Sequence, residues 1–95
     1  LGLGEDGHTA SLFPGQQHQG DELVLPVHDA PKPPPDRVSL SPRALADTEN
    51  LLFLVTGEGK RDAVKRWRAN ESLPANKITT SGRAGVLIDR AAWPE

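Results

Sequence analysis

Five consecutive apolar residues, Leu51-Leu52-Phe53-Leu54-Val55, constrain this chain more than any other feature. A strand with one face in water alternates polar and apolar positions. An unbroken run is the pattern of a strand buried on both faces, as in a parallel sheet layered between helices. Asn50 leads into the run and Thr56-Gly57-Glu58-Gly59 turns out of it. Lys60 to Ala69 then reads as a helix with Ala63, Val64 and Trp67 on one face. Leu73-Pro74 ends that unit, and Val86-Leu87-Ile88 is a second buried strand. Strand, helix, strand in succession predicts an α/β sheet. A strand covered on both faces needs neighbours and layers that 95 residues do not obviously supply, and Met is absent. We therefore expect an incomplete domain, the C-terminal portion of a longer one.

The remaining segments read as follows. Leu1 to Leu3 ends a strand, Gly4 to Gly7 turns at its carboxyl end, and Thr9 to Phe13 forms one helical turn before Pro14 stops it. Residues 15–35 are loop, with a short extended piece at Leu23 to Val27. Ala30-Pro31-Lys32-Pro33-Pro34-Pro35 is expected as exposed polyproline II, a stiff connector rather than an SH3 or WW ligand. Arg37-Val38-Ser39-Leu40 alternates as an edge strand does. Ser41 is an N-cap with Pro42 at the first helical position of a short helix through about Asp47. A further short helix spans Asp89 to Trp93.

Composition excludes several classes. Eleven Lys and Arg against 13 Asp and Glu leave a net charge of -2, with no general basic face for nucleic acid. With no cysteine, disulfides, Cys-ligated zinc and thiol catalysis are ruled out. No apolar run is long enough for a membrane span or signal peptide. The expectation is a cytoplasmic protein without a membrane partner.

Chemistry is concentrated in Gly2-Leu3-Gly4-Glu5-Asp6-Gly7-His8-Thr9-Ala10-Ser11. The string satisfies G-x-G-x-x-G, but a dinucleotide fingerprint must open a helix inside a βαβ unit, and Pro14-Gly15 interrupts too soon. No nicotinamide or flavin cofactor is expected. His8 is the leading catalytic candidate, an imidazole at the end of a strand flanked by groups that suit proton transfer near neutral pH. Asp6 is close enough to orient that imidazole or to bond the loop's own amides as an Asx turn. The amides of Gly4 and Gly7, should they converge, would make a nest for an oxyanion or a phosphate. Thr9 and Ser11 are candidates to bind phosphate or to cap the turn. Ser11 lies outside any G-x-S-x-G elbow, so a serine hydrolase has little support. Lys60 stands at a helix start, where free amides and the dipole attract phosphate and a cation is otherwise unfavourable. His8, His18 and His28 recur every ten residues, a spacing that fits no zinc site, so no metal is expected.

Gly4-Glu5-Asp6-Gly7-His8-Thr9-Ala10-Ser11-Leu12-Phe13-Pro14 resembles the signature loop of the 6-phosphogluconolactonase family, within the larger group of sugar-phosphate isomerases and deaminases. The deaminase branch shares Asp-Gly-His but usually continues differently from Thr9-Ala10-Ser11-Leu12-Phe13-Pro14. Asp36 to Leu40, Leu52 to Lys60 and Leu87 to Ala92 agree with the lactonases in order and rough spacing, whereas Asn76 to Gly85 matches only loosely. The resemblance implies a Rossmann-like, mostly parallel sheet with flanking helices, of which residues 1–95 are the C-terminal part of a single domain. It implies metal-free hydrolysis of 6-phospho-D-glucono-1,5-lactone in the oxidative pentose phosphate pathway, with His8 as general base. Lys60 would hold the substrate phosphate and Arg37 would lie near the same end of the sheet, with an N-terminal half supplying further contacts. The alternatives are a glucosamine-6-phosphate deaminase or isomerase and an inactive phosphosugar-binding fragment.

Overall fold

In the computed structural model, which describes residues 1–16 and 21–95, two short strands come first. They are β1 (Val24–Val27) and β2 (Arg37–Leu40), paired antiparallel with Val24 opposite Leu40 and Val27 opposite Arg37. Helix α1 (Pro42–Ala46) starts as its sequence directs: Ser41 Oγ accepts the Ala44 amide at 3.0 Å, and Pro42 opens the first turn. Strand β3 (Asn50–Val55) lies parallel to β4 (Arg83–Ile88), with Leu51 opposite Ala84 and Val55 opposite Ile88. The crossover carries α2 (Arg61–Arg68), preceded by a 3₁₀ turn at Glu58–Lys60 and followed by another at Pro74–Lys77. On the other edge of β3, the Leu1 nitrogen donates to the Leu52 carbonyl and the Leu1 carbonyl accepts from the Leu54 amide, both at 2.8 Å. That is the bonding pattern of a parallel neighbour. Three parallel segments thus end side by side, with the glycine-rich loop following the first.

The core lies on one face of β3. Leu51, Phe53 and Val55 point into it and meet Ala63, Val64 and Trp67 of α2. The Phe53 and Trp67 rings pack edge to face at 4.7 Å, a geometry aromatic quadrupoles favour. The expected burial of both faces is not seen. Leu52 and Leu54 are 44% and 56% exposed and Leu87 is 62% exposed. The reason is that, among the described residues, α2 covers one face and no element covers the other.

Three local expectations are also corrected. Thr9 to Phe13 is a tight turn rather than a helical one, with the Leu12 amide on the Thr9 carbonyl at 3.0 Å and Ala10 at a φ of 49°. The helical alternative loses because Thr9 Oγ1 is anchored to the Gly2 carbonyl at 2.7 Å. Residues 31–36 form successive bends instead of polyproline II, because the Ala30 amide reaches the Pro35 carbonyl at 2.9 Å and closes the segment on itself. Asp89 to Trp93 is a single capped turn, since Pro94 biases Trp93 away from helix.

Candidate active site

The loop after the first parallel segment is closed by its own backbone. The Gly7 amide donates to the Gly4 carbonyl at 2.9 Å, and the Gly4 amide donates to the His8 carbonyl at 2.7 Å. Gly7 has a φ of 88°, and a Cβ there would lie 2.8 Å from the buried Leu73 side chain, so only glycine fits. A side chain at Gly4 would collide with the His8 imidazole and come within 2.9 Å of Asp6 Oδ1. The loop is therefore wound tightly enough to lay the imidazole across bare backbone. Both glycine amides are spent inside it, so the nest expected of Gly4 and Gly7 does not form from these two donors.

Asp6 Oδ1 accepts the His8 amide at 3.0 Å and sits 2.5 Å from His8 Nδ1. A carboxylate is acceptor only, so Nδ1 carries the shared hydrogen, and in the neutral imidazole the lone pair is then on Nε2. Partial burial pushes the Asp6 carboxyl up, but the bonds from the His8 amide and ring, with the attraction of a charged imidazole, outweigh it. The net result lies below the ordinary carboxylate value. Asp6 is thus ionised at neutral pH and fixes one tautomer of His8.

Lys60 comes from the turn at the carboxyl end of β3. Gly57, at a φ of 98°, makes that turn possible, and the Asp89 carboxylate accepts its amide at 3.1 and 3.2 Å. A Cβ on Gly59 would lie 2.8 Å from Glu5 Oε1, so the turn abuts the glycine-rich loop. A cleft of about 210 Å³ opens between them, lined by Gly2, Leu3, Gly4, His8, Thr9, Ala10 and Lys60. It combines a base whose tautomer is set with a cation, at the carboxyl ends of parallel strands where open α/β sheets bind ligands. A larger groove of about 290 Å³ runs between α2 and β4, but it is apolar, and among the described residues Arg68 is the one charged side chain lining it.

Of the residues the sequence singled out, Gly4, His8, Thr9 and Lys60 line the cleft together. Thr9 is 1% exposed and its hydroxyl is committed to Gly2. The Ser11 amide donates to Ser39 Oγ at 3.2 Å, and Ser11 Oγ faces Arg37 rather than the cleft. Arg37 is not among the lining residues. Its Nε donates to the Pro34 carbonyl at 2.9 Å, and Nη2 donates to those of Lys32 and Pro33 at 3.0 and 2.9 Å. His18 lies outside the described residues, and exposed His28 pairs with Asp36 at 3.0 Å. Sequence reasoning gave no role to Asp89, Leu73 or Phe13. Phe13 follows the loop directly, but Asp89 and Leu73 meet their glycines only in the fold, 32 and 66 residues away along the chain.

The chain has relatives among known proteins. The family model described as glucosamine-6-phosphate isomerases/6-phosphogluconolactonase matches residues 1–88. The 6-phosphogluconolactonases of Rattus norvegicus and Homo sapiens are each 39% identical over 97% of this chain, which spans 38% of their length. The solved 6-phosphogluconolactonase of Trypanosoma brucei superposes with a TM-score of 0.81 at 33% identity, over 97% of this chain and 39% of that one. A monomeric glucosamine-6-phosphate deaminase shares the fold, with a TM-score of 0.74 at 22% identity. Matched from the segment that launches the His8 loop to the last residue of β4, the chain belongs to the glucosamine-6-phosphate isomerase/6-phosphogluconolactonase family.

Proposed function

We propose that the protein carrying this chain is a 6-phosphogluconolactonase, opening 6-phospho-D-glucono-1,5-lactone to 6-phosphogluconate in the cytoplasmic, oxidative branch of the pentose phosphate pathway. The single observation that carries the reading is the Asp6–His8 pair, 2.5 Å apart, in one cleft with Lys60. The names of the rat and human relatives point to the same lactone. Residues 1–95 are, in this reading, the C-terminal part of one domain whose remainder supplies further substrate contacts.

His8 Nε2 takes a proton from water as the water oxygen bonds to the lactone carbonyl carbon. The imidazolium is stabilised by ionised Asp6. When the ring C–O bond breaks, the same nitrogen returns the proton to the departing oxygen, and the acid product ionises. Lys60 is the cation for the substrate phosphate. No step calls for a metal or an organic cofactor.

The test is hydrolysis of freshly generated lactone by the complete protein, coupled to 6-phosphogluconate dehydrogenase and compared with the spontaneous rate. Turnover above background that is lost in His8→Ala is expected. Ammonia release from glucosamine 6-phosphate would move the assignment to the deaminase branch. Ligand binding with neither activity would leave a phosphosugar-binding protein.

A further inference from the structure

A general base is held in place only when its ring plane is fixed as well as its hydrogen bond. The contact from Asp6 to Nδ1 restrains His8 at one atom and leaves the ring free to tilt about it. Phe13 supplies a second restraint. Its ring centroid is 4.6 Å from that of His8 with the planes 34° apart, and Phe13 is 1% exposed. Arg37 stands over the Phe13 ring, with Cζ 5.2 Å from the centroid, within the range of a cation–π contact.

Arg37 is itself immobilised. Three of its N–H donors go to the carbonyls of Lys32, Pro33 and Pro34, and Nη1 lies 3.5 Å from Ser11 Oγ. Two residues further along β2, the same strand reaches the loop again through Ser39 Oγ and the Ser11 amide. A guanidinium so occupied is poorly placed to grip a phosphate, and it does not line the cleft. It is well placed to press on an aromatic ring.

We propose that Phe13 and Arg37 are positioning residues for His8: the guanidinium holds the Phe13 ring, and the ring sets the plane of the imidazole. The inference rests on His8 being the base of the proposed lactonase. Its effect is on turnover rather than on substrate affinity, because neither side chain meets the cleft.

The test uses the complete protein with labelled histidine and the variants Phe13→Leu, Arg37→Ala and the pair. The ring current of Phe13 acts on the His8 Cε1–H resonance, which reports the stacking independently of activity. Phe13→Leu is expected to lower kcat on the order of tenfold to a hundredfold, leave KM within about twofold, and shift that resonance. Arg37→Ala should shift it in the same direction and lower kcat about three- to thirtyfold, the scale of a lost cation–π contact. In the pair, the Arg37 change should add little to Phe13→Leu. Should Phe13→Leu fail to fold, Arg37→Ala alone decides. A raised KM with kcat and the resonance unmoved would overturn the proposal and return Arg37 to the phosphate. If the wild-type protein proves inactive on the lactone, the lactonase reading falls. The resonance then still decides in Arg37→Ala, which keeps the Phe13 ring: movement there keeps the positioning role, and none removes it.

Discussion

At the residue scale the site depends on what one glycine lacks. Gly4 has no left-handed φ, so what alanine meets there is the imidazole and Asp6 Oδ1. Gly4→Ala should therefore leave the melting temperature nearly unchanged while lowering kcat about a hundredfold, the scale of an ångström-level misplacement of a catalytic group. A variant of normal kcat would show that the imidazole finds its place without the bare backbone. Asp6 makes a pH prediction. Its carboxyl is depressed in the folded protein, so the stability it contributes is present above the unfolded value and lost as pH falls through the folded one. The Asp6–His8 contact should thus persist through mild acid and open only below the usual carboxylate range. A histidine resonance of His8 followed from pH 7 downward would record it, and opening near pH 5 would contradict the assignment. The Asp6–His8 contact was legible in the sequence because its two residues lie two positions apart. Arg37 was a candidate near the phosphate, but its contact with Phe13 was not legible, since 24 positions separate two residues that meet only once β2 docks on the loop.

At the element scale, segments with their own start signals were read correctly and those settled by tertiary bonds were not. Ser41-Pro42 caps α1 by local chemistry alone, and α2 follows its apolar stripe. The turn after Thr9 escaped because a single side-chain bond to the Gly2 carbonyl decides it. The turn bearing Lys60 was read from Thr56-Gly57-Glu58-Gly59, but its fastening was not: it is held by a carboxylate 32 residues away, Asp89 on Gly57. Two variants separate the cation from its support. Lys60→Ala should raise KM for the phosphorylated lactone tenfold or more with kcat little changed, the loss expected of a group that binds ground and transition states alike. Asp89→Ala leaves the lysine present but its turn unfastened. KM should rise by a smaller factor, and Tm should fall because the Gly57 and Ala92 amides lose their acceptor. An unchanged KM in Lys60→Ala would take the phosphate elsewhere.

At the scale of the molecule, the sequence and the fold disagree at one place, and the disagreement is informative. The run Leu51 to Val55 is apolar on both faces, yet only Leu51, Phe53 and Val55 are covered, leaving Leu52, Leu54 and Leu87 in water. The chain spans 38% of the length of its mammalian relatives, so the pattern was written for a sheet with more layers than these residues provide. Such an uncovered face associates or binds apolar probes. The isolated 95-residue chain should therefore bind an apolar dye such as anilinonaphthalene sulfonate and show a broad unfolding transition, whereas the complete protein should bind little dye and unfold cooperatively. Leu54→Asp sharpens the test. In the isolated chain it places a charge where water already is, and should reduce dye binding at little cost. In the complete protein it would bury that charge against whatever covers β3, at a cost of several kcal/mol. Equal, small effects in both would mean that this face of β3 stays open in the complete protein, and that the apolar run answers to something other than a second layer.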